Sequence, residues 1–155
     1  MIDIDVRTIA NRIGQQIAVS DWLEVTQSRI DQFADATGDH QWIHVDPARA
    51  AVELPSRSTI AHGFLTLSLL STLIRESIRF TGLRMAINYG LNRERFVSPV
   101  PSGSRIRALI TLKAVDAVSD GFQVTWEVTI ERDGAEKPAC VAEWIVRYYP
   151  IVADR

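Results

Sequence analysis

The spacing of apolar positions changes twice along the chain, and each change marks a different kind of element. Near the start, Ile4, Ile9 and Ile13 stand among polar and charged residues, which predicts an N-terminal helix or arm over residues 1–15. Gln16 to Val25 reads as a first strand with Trp22 as its large anchor. Ile30, Phe33, Ala34 and Thr37 fall on one helical face, with Thr26 or Ser28 as the cap and Gly38 where a C′ glycine ends a helix. A loop over 39–45 follows. Asp46-Pro47 then has the form of an N-cap with proline at the first helical position, predicting a short helix through Val52. Residues 53–61 read as a second loop.

From His62 to Arg79 the chain is apolar on nearly every side until Arg75, which predicts one long helix wrapped by other elements. Its uncharged core, Gly63 to Ile74, is shorter than the roughly 20 residues that span a bilayer, so no membrane span is expected. Beyond it the period falls to two: Val124, Trp126, Val128 and Ile130 alternate with Thr125, Glu127 and Thr129. Strands are expected over 84–91, 93–97, 105–117, 122–132 and 139–149. Pro99 to Gly103 breaks the run, and Ser119-Asp120-Gly121 and Asp133-Gly134 form hairpin turns. The pattern is α+β: a single hot-dog domain over 1–155, its antiparallel β-sheet wrapped around a long central apolar helix.

Charge narrows the partners. With 17 basic and 19 acidic residues the chain lacks the positive field that broad nucleic-acid binding needs. A local basic rim is still compatible with a phosphorylated ligand. Arg93, Arg95, Arg105 and Arg107 cluster around the strand break, as either a solvated edge or such a rim. Cys140 is the one cysteine, so no internal disulfide is possible. The acidic Met1–Asp5 lacks the basic region of an export signal, and a reducing cytoplasm is expected. Cys140 itself reads as a small buried hydrophobe. Three histidines and one cysteine without ligand spacing argue for no metal site.

The densest chemistry lies between Phe33 and Ala50. Asp39 stands five residues before His44, in a loop that Gly38 lets turn tightly. A carboxylate and an imidazole side by side can polarise one water, since the imidazole accepts or donates a proton near neutral pH. By spacing alone His44 reads rather as a loop histidine bonded to backbone, and Asp39 equally as a helix-terminal or turn residue. Asp46 reads as a cap and His40 as exposed, while Ser68 and Ser71 are placed to bond back to helix carbonyls.

This segment resembles the hydratase motif of the MaoC-like dehydratases, the (R)-specific enoyl-CoA hydratases. Phe33, Gly38, Asp39, Ile43, His44 and Ala50 match that pattern, while Gln41 and Trp42 stand where Asn and Pro are usual. Gly-Asp-His-Gln-Trp-Ile-His resembles a NodN-like branch. Ala61-His62-Gly63-Phe64-Leu65 resembles the family's opening of the central helix, and Phe96 to Gly103 its strand break. The three motifs cover about residues 16–147 in the expected order.

The resemblance implies reversible addition of water to a trans-2-enoyl thioester of coenzyme A or an acyl carrier protein, giving the (R)-3-hydroxyacyl product. Asp39 and His44 would carry the acid–base chemistry, the Gly63 N–H would face the thioester oxygen, and Ser71 would support the pair. Trp42, His62, Arg93 and Arg95 are candidate substrate contacts; Trp42, Trp126 and Trp144 are otherwise core or dimer contacts. No cofactor beyond coenzyme A in the substrate is implied, and a homodimer is expected. Two rival readings stay open. A hot-dog thioesterase would want a carboxylate on the central helix, which 63–74 lacks; a non-catalytic acyl-thioester-binding subunit of a heterodimeric dehydratase would be expected to lose the acid–base pair.

Overall fold

The computed structural model describes residues 1–152; the last three residues of the expected 1–155 domain lie outside the described residues. The N-terminal fifteen residues are not an α-helix. Ile2–Asp5 form β1, and Asp5 caps a 3₁₀ helix over Val6–Arg12. Ile4 and Ile9 are buried as the pattern implies, whereas Ile13 is exposed. The expected first strand is split into β2, Gln16–Val19, and β3, Leu23–Val25. Trp22 sits in the gap between them and anchors nothing in the core. It is 36% exposed and lies beneath the Arg107 guanidinium, 4.6 Å from its ring centre.

The helix signals between residues 26 and 53 are local and hold. α1 spans Gln27–Thr37; Thr26 caps it by accepting from the Arg29 N–H, and Gly38 closes it at φ +78°. That φ is cheap only for glycine. The expected loop at 39–45 contains one helical turn, α2, over Trp42–Val45. α3 runs Pro47–Glu53 under the Asp46 cap, whose carboxylate accepts from the Arg49 N–H at 3.0 Å.

The central helix is shorter than its apolarity suggests, and it is divided. α4 covers Gly63–Ser68 and α5 covers Leu70–Ser77, joined at Leu69. Ser68 and Ser77 bond back to the carbonyls of Phe64 and Leu73, a habit that loosens helices. The helix ends at Ser77 because Ile78–Thr81 form β4, paired in parallel with β1 through Ile2 and Ile78. A β-branched residue offered a ladder partner prefers the strand. Wrapping is also partial. Leu65, Leu69, Leu70, Leu73 and Ile74 are buried, but Phe64 is 66% exposed and Ser68 and Ser71 are open.

The main sheet is antiparallel in the order β2-β6-β7-β8-β5, with β3 also pairing with β6. β5 is Leu83–Phe96, one strand with register shifts where two were expected; β6 is Ser104–Val118, β7 Gly121–Arg132 and β8 Cys140–Pro150. The alternation at 124–130 faces inward as read, Trp126 being fully buried with its indole N–H donating to the Tyr148 hydroxyl at 3.1 Å. Trp144 joins the core as well. One apolar core lies between the sheet and α4–α5, the hot-dog arrangement. β5 is the exception: it is an edge strand and exposed along most of its length. No helix among the described residues is long and apolar enough to cross a membrane.

Candidate active site

The seat of His44 is built by three segments. Gly38 reverses the chain after α1, and α2 turns His44 inward until 7% of it is exposed. Its Nδ1 lies 2.6 Å from the Ile60 carbonyl oxygen. A carbonyl only accepts, so Nδ1 carries the proton and Nε2 keeps its lone pair. The Ile60 N–H donates in return to the Ile43 carbonyl at 3.0 Å, locking the turn to the segment before α4. Burial holds the His44 imidazole below its ordinary pKa of 6.5; the Ile60 carbonyl opposes that, nearby His62 adds to it, and Asp39 opposes it.

His62 precedes α4 and is 3% exposed. Its Nε2 donates to the Asp39 backbone carbonyl at 2.9 Å, so the imidazole fixes where the Asp39 main chain sits. The other nitrogen, Nδ1, is buried and has no partner among the described residues. The His62 ring stacks on His44, centres 3.7 Å apart at 24°, and Phe33 packs against His62 at 5.0 Å. The Asp39 carboxylate reaches to 3.9 Å from His62 Nε2 while its side chain stays 56% exposed. One polar atom from each of Asp39, His44 and His62 lies within 4.8 Å of the others. A water making bonds of about 2.8 Å can bridge two groups that far apart. As a metal site the cluster lacks a ligand, because His62 Nε2 carries the proton it donates to the Asp39 carbonyl and offers no lone pair.

A cavity of about 280 Å³ opens beside His44, walled by Ala61, Gly63, Thr66, Phe96 and Val100. Gly63 begins α4, so its N–H has no acceptor within the helix. The ring of Phe96 lies so close that a Cβ on residue 63 would stand 2.6 Å from two of its carbons. Glycine is therefore required there by contact, in addition to any role of its amide.

The other expected residues fall elsewhere. Ser71 lines a different cavity of about 600 Å³, with Ile74, Phe80, Trp144 and Val146, and is not in the wall beside His44. Arg93 and Arg95 sit over a separate groove with Glu127, Thr129 and Glu143. Arg105 and Arg107 pair with Asp133 and Glu131. Trp42 is half-buried beneath the Arg49 guanidinium, 4.0 Å from its ring centre. His40 is exposed and paired with Asp35. Cys140 is buried, and burial followed by the Glu94 charge pushes its thiol up to about 12. Phe96 in the cavity wall, and Gln27 and Thr59 behind it, are not legible from the sequence, because each meets the site through partners distant in sequence; Thr66, one turn after His62, carries no motif signal of its own.

Residues 8–134 match the family described as MaoC like domain. The chain belongs to the MaoC-like domain family. It is 52% identical over 144 residues to the 3-hydroxyacyl-thioester dehydratase Z of Mycobacterium tuberculosis, covering 92% of this chain and 95% of that protein. It is 47% identical over 152 residues to nodulation protein N of Rhizobium leguminosarum bv. viciae, covering 94% and 91%. Among solved structures, the (R)-hydratase from A. caviae involved in PHA biosynthesis superposes with a TM-score of 0.69 at 25% identity, covering 89% of this chain and 96% of that one. With dehydratases and (R)-hydratases on both sides of the comparison, this MaoC-like chain is a hydro-lyase.

Proposed function

We propose that the chain catalyses reversible hydration of trans-2-enoyl thioesters to (R)-3-hydroxyacyl thioesters, carried on coenzyme A or an acyl carrier protein. The observation that carries this reading is the pairing of Asp39 with a His44 whose Nε2 lone pair is left free by the Nδ1 bond to Ile60. In the hydration direction Asp39 orients the water and His44 Nε2 takes its proton. The hydroxide adds to C3, the C2–C3 π pair moves toward the thioester carbonyl, and negative charge gathers on that oxygen. The Gly63 N–H, on the same cavity wall as His44, is the donor for that charge. The imidazolium then delivers its proton to C2, and the reverse sequence is dehydration. Only water is added and no electrons are transferred, so the scheme calls on neither nicotinamide nor flavin. Ser71, Trp42, Arg93 and Arg95 have no step assigned to them here, since the structure does not set them in the His44 cavity.

The same reading includes a homodimer built from one-domain subunits. β5 leaves an unpaired edge carrying Ile87, Tyr89, Leu91 and Phe96, all more than 40% exposed. Such an edge invites a second strand. Phe96 extends that surface to the mouth of the cavity. A reducing cytoplasm suits Cys140, which is a free thiol.

The test is hydration of crotonyl-CoA, followed by loss of enoyl-thioester absorbance, with light scattering on the same sample for the dimer. The expected result is turnover by the unaltered protein and a fall of about 10²–10⁴-fold in folded Asp39→Asn and His44→Ala variants. Variants that keep full activity would remove the acid–base assignment. Silence on crotonyl-CoA and longer enoyl-CoAs alike would remove the substrate class.

A further inference from the structure

The Gln27 side chain joins three parts of the molecule that are far apart in sequence. It stands at the first position of α1, half-buried. Its Nε2 donates to the Asp31 carboxylate at 2.8 Å and to the backbone carbonyl of His44, also at 2.8 Å. Its Oε1 accepts from the hydroxyl of Thr59, which is 1% exposed. The orientation of the amide follows from its partners. A carboxylate and a carbonyl can only accept, so the NH₂ must face them, and the oxygen faces the hydroxyl. Every polar atom of the carboxamide is engaged.

The two segments clamped in this way are the ones whose separation sets the His44 tautomer. Gln27 holds the backbone of His44 on one side, and through Thr59 it holds the residue adjoining Ile60 on the other. Ile60 supplies the carbonyl that receives the His44 Nδ1 proton. We propose that Gln27, through Thr59, is a positioning residue that keeps His44 as its Nδ1–H tautomer with Nε2 facing the cavity. The proposal rests on the reading of His44 as the base, because only then does the tautomer govern turnover. Released from the clamp, the imidazole drifts toward the Nε2–H form that free imidazole side chains favour in water. That form presents a donor where the reaction needs an acceptor. Gln27 and Thr59 do not line the cavity, so substrate affinity should barely respond.

The experiment measures the His44 tautomer by two-bond ¹H–¹⁵N correlation in imidazole-labelled protein, the signal being assigned by its loss in His44→Ala. The same samples are assayed on crotonyl-CoA. The variants are Gln27→Ala, Thr59→Val, which removes the hydroxyl at similar volume, and Thr59→Ser, which keeps it. Wild type and T59S are expected to show the Nδ1–H form. In Q27A and T59V the population should move toward Nε2–H, with kcat down about 10–100-fold and KM within about threefold. If Q27A fails to fold, T59V carries the test alone. Folded variants that melt earlier but retain the wild-type tautomer and kcat would show a merely structural bridge and overturn the proposal. If no enoyl thioester is turned over by wild type yet the tautomer still moves in T59V, the clamp stands and the hydratase reading falls.

Discussion

Replacing Gly63 by alanine tests the site at its tightest contact. The added Cβ would meet Phe96 Cδ2 and Cε2 at 2.6 Å and Cγ at 2.9 Å. Carbon atoms pack best at about 3.5–4.0 Å, so the ring must retreat by roughly 1 Å. Phe96 is 42% exposed and can swing outward, which makes the strain partial. Swinging also breaks its edge-on contact with Phe64, whose ring centre is 5.8 Å away. An aromatic pair is worth about 0.5–1.5 kcal/mol and residual overpacking about 1–3 kcal/mol, so a combined loss of about 1.5–4.5 kcal/mol is expected. For a chain of this size that lowers Tm by about 3–18 °C. Displacing the Gly63 amide should also lower kcat by about 10²–10³-fold, the usual effect of removing one oxyanion donor. The assay is a double-mutant cycle of G63A and Phe96→Ala, read by thermal melting and by crotonyl-CoA hydration. F96A removes the obstructing ring, so G63A should be milder in its background on both readouts. Strictly additive effects would refute the claim that contact with Phe96 is what demands glycine. A G63A protein with unchanged Tm and kcat would show that the ring yields without strain and without displacing the residue 63 amide.

Three further outcomes follow from burial. The folded state depresses the His44 pKa, so the folded chain binds that proton less readily than the unfolded one. Its contribution to stability is therefore complete above the ordinary value of 6.5 and is lost as pH falls from there through the folded value. Urea unfolding at several pH values should show that loss, and His44→Ala should abolish it. The hydration rate should likewise persist below pH 6.5 and fall only where the buried imidazole charges; a fall centred above 6.5 would contradict the burial argument. Tyr148→Phe leaves the fully buried Trp126 N–H without its acceptor, which costs about 1–3 kcal/mol. An unchanged urea midpoint would show that this indole has another partner.

What was legible before the fold depended on the reach of each signal. Thr26, Gly38 and Asp46-Pro47 announce their helices because a cap or a positive φ is satisfied within a few residues. The alternation at 124–130 announces its strand because one face is buried. Asp39 and His44 were found as a pair through their spacing and the motif around them, and they do converge. Trp22 and Ile13 were misjudged because bulk and apolarity do not say whether an element continues to the residue that would bury them. The central helix was read too long because nothing near Ile78 reveals that Ile2 awaits it across β1. The resemblance that points to Ser71 and the clustering that points to Arg93 and Arg95 do not say which cavity a side chain lines.

By itself, then, the amino-acid sequence determined the α+β class, the caps of α1 and α3, the inward face of β7 and the hairpin turns. These follow from local periodicity, turn chemistry and short spacing, all properties of neighbouring residues. Tertiary structure alone decided which nitrogen of His44 bears the proton, the stacking of His44 on His62, the need for glycine beneath Phe96, and the bridge from Gln27 to Thr59. Each of these depends on a carbonyl, ring or amide brought from 16 or more residues away. Such partners meet only when burial of the shared core brings their segments together.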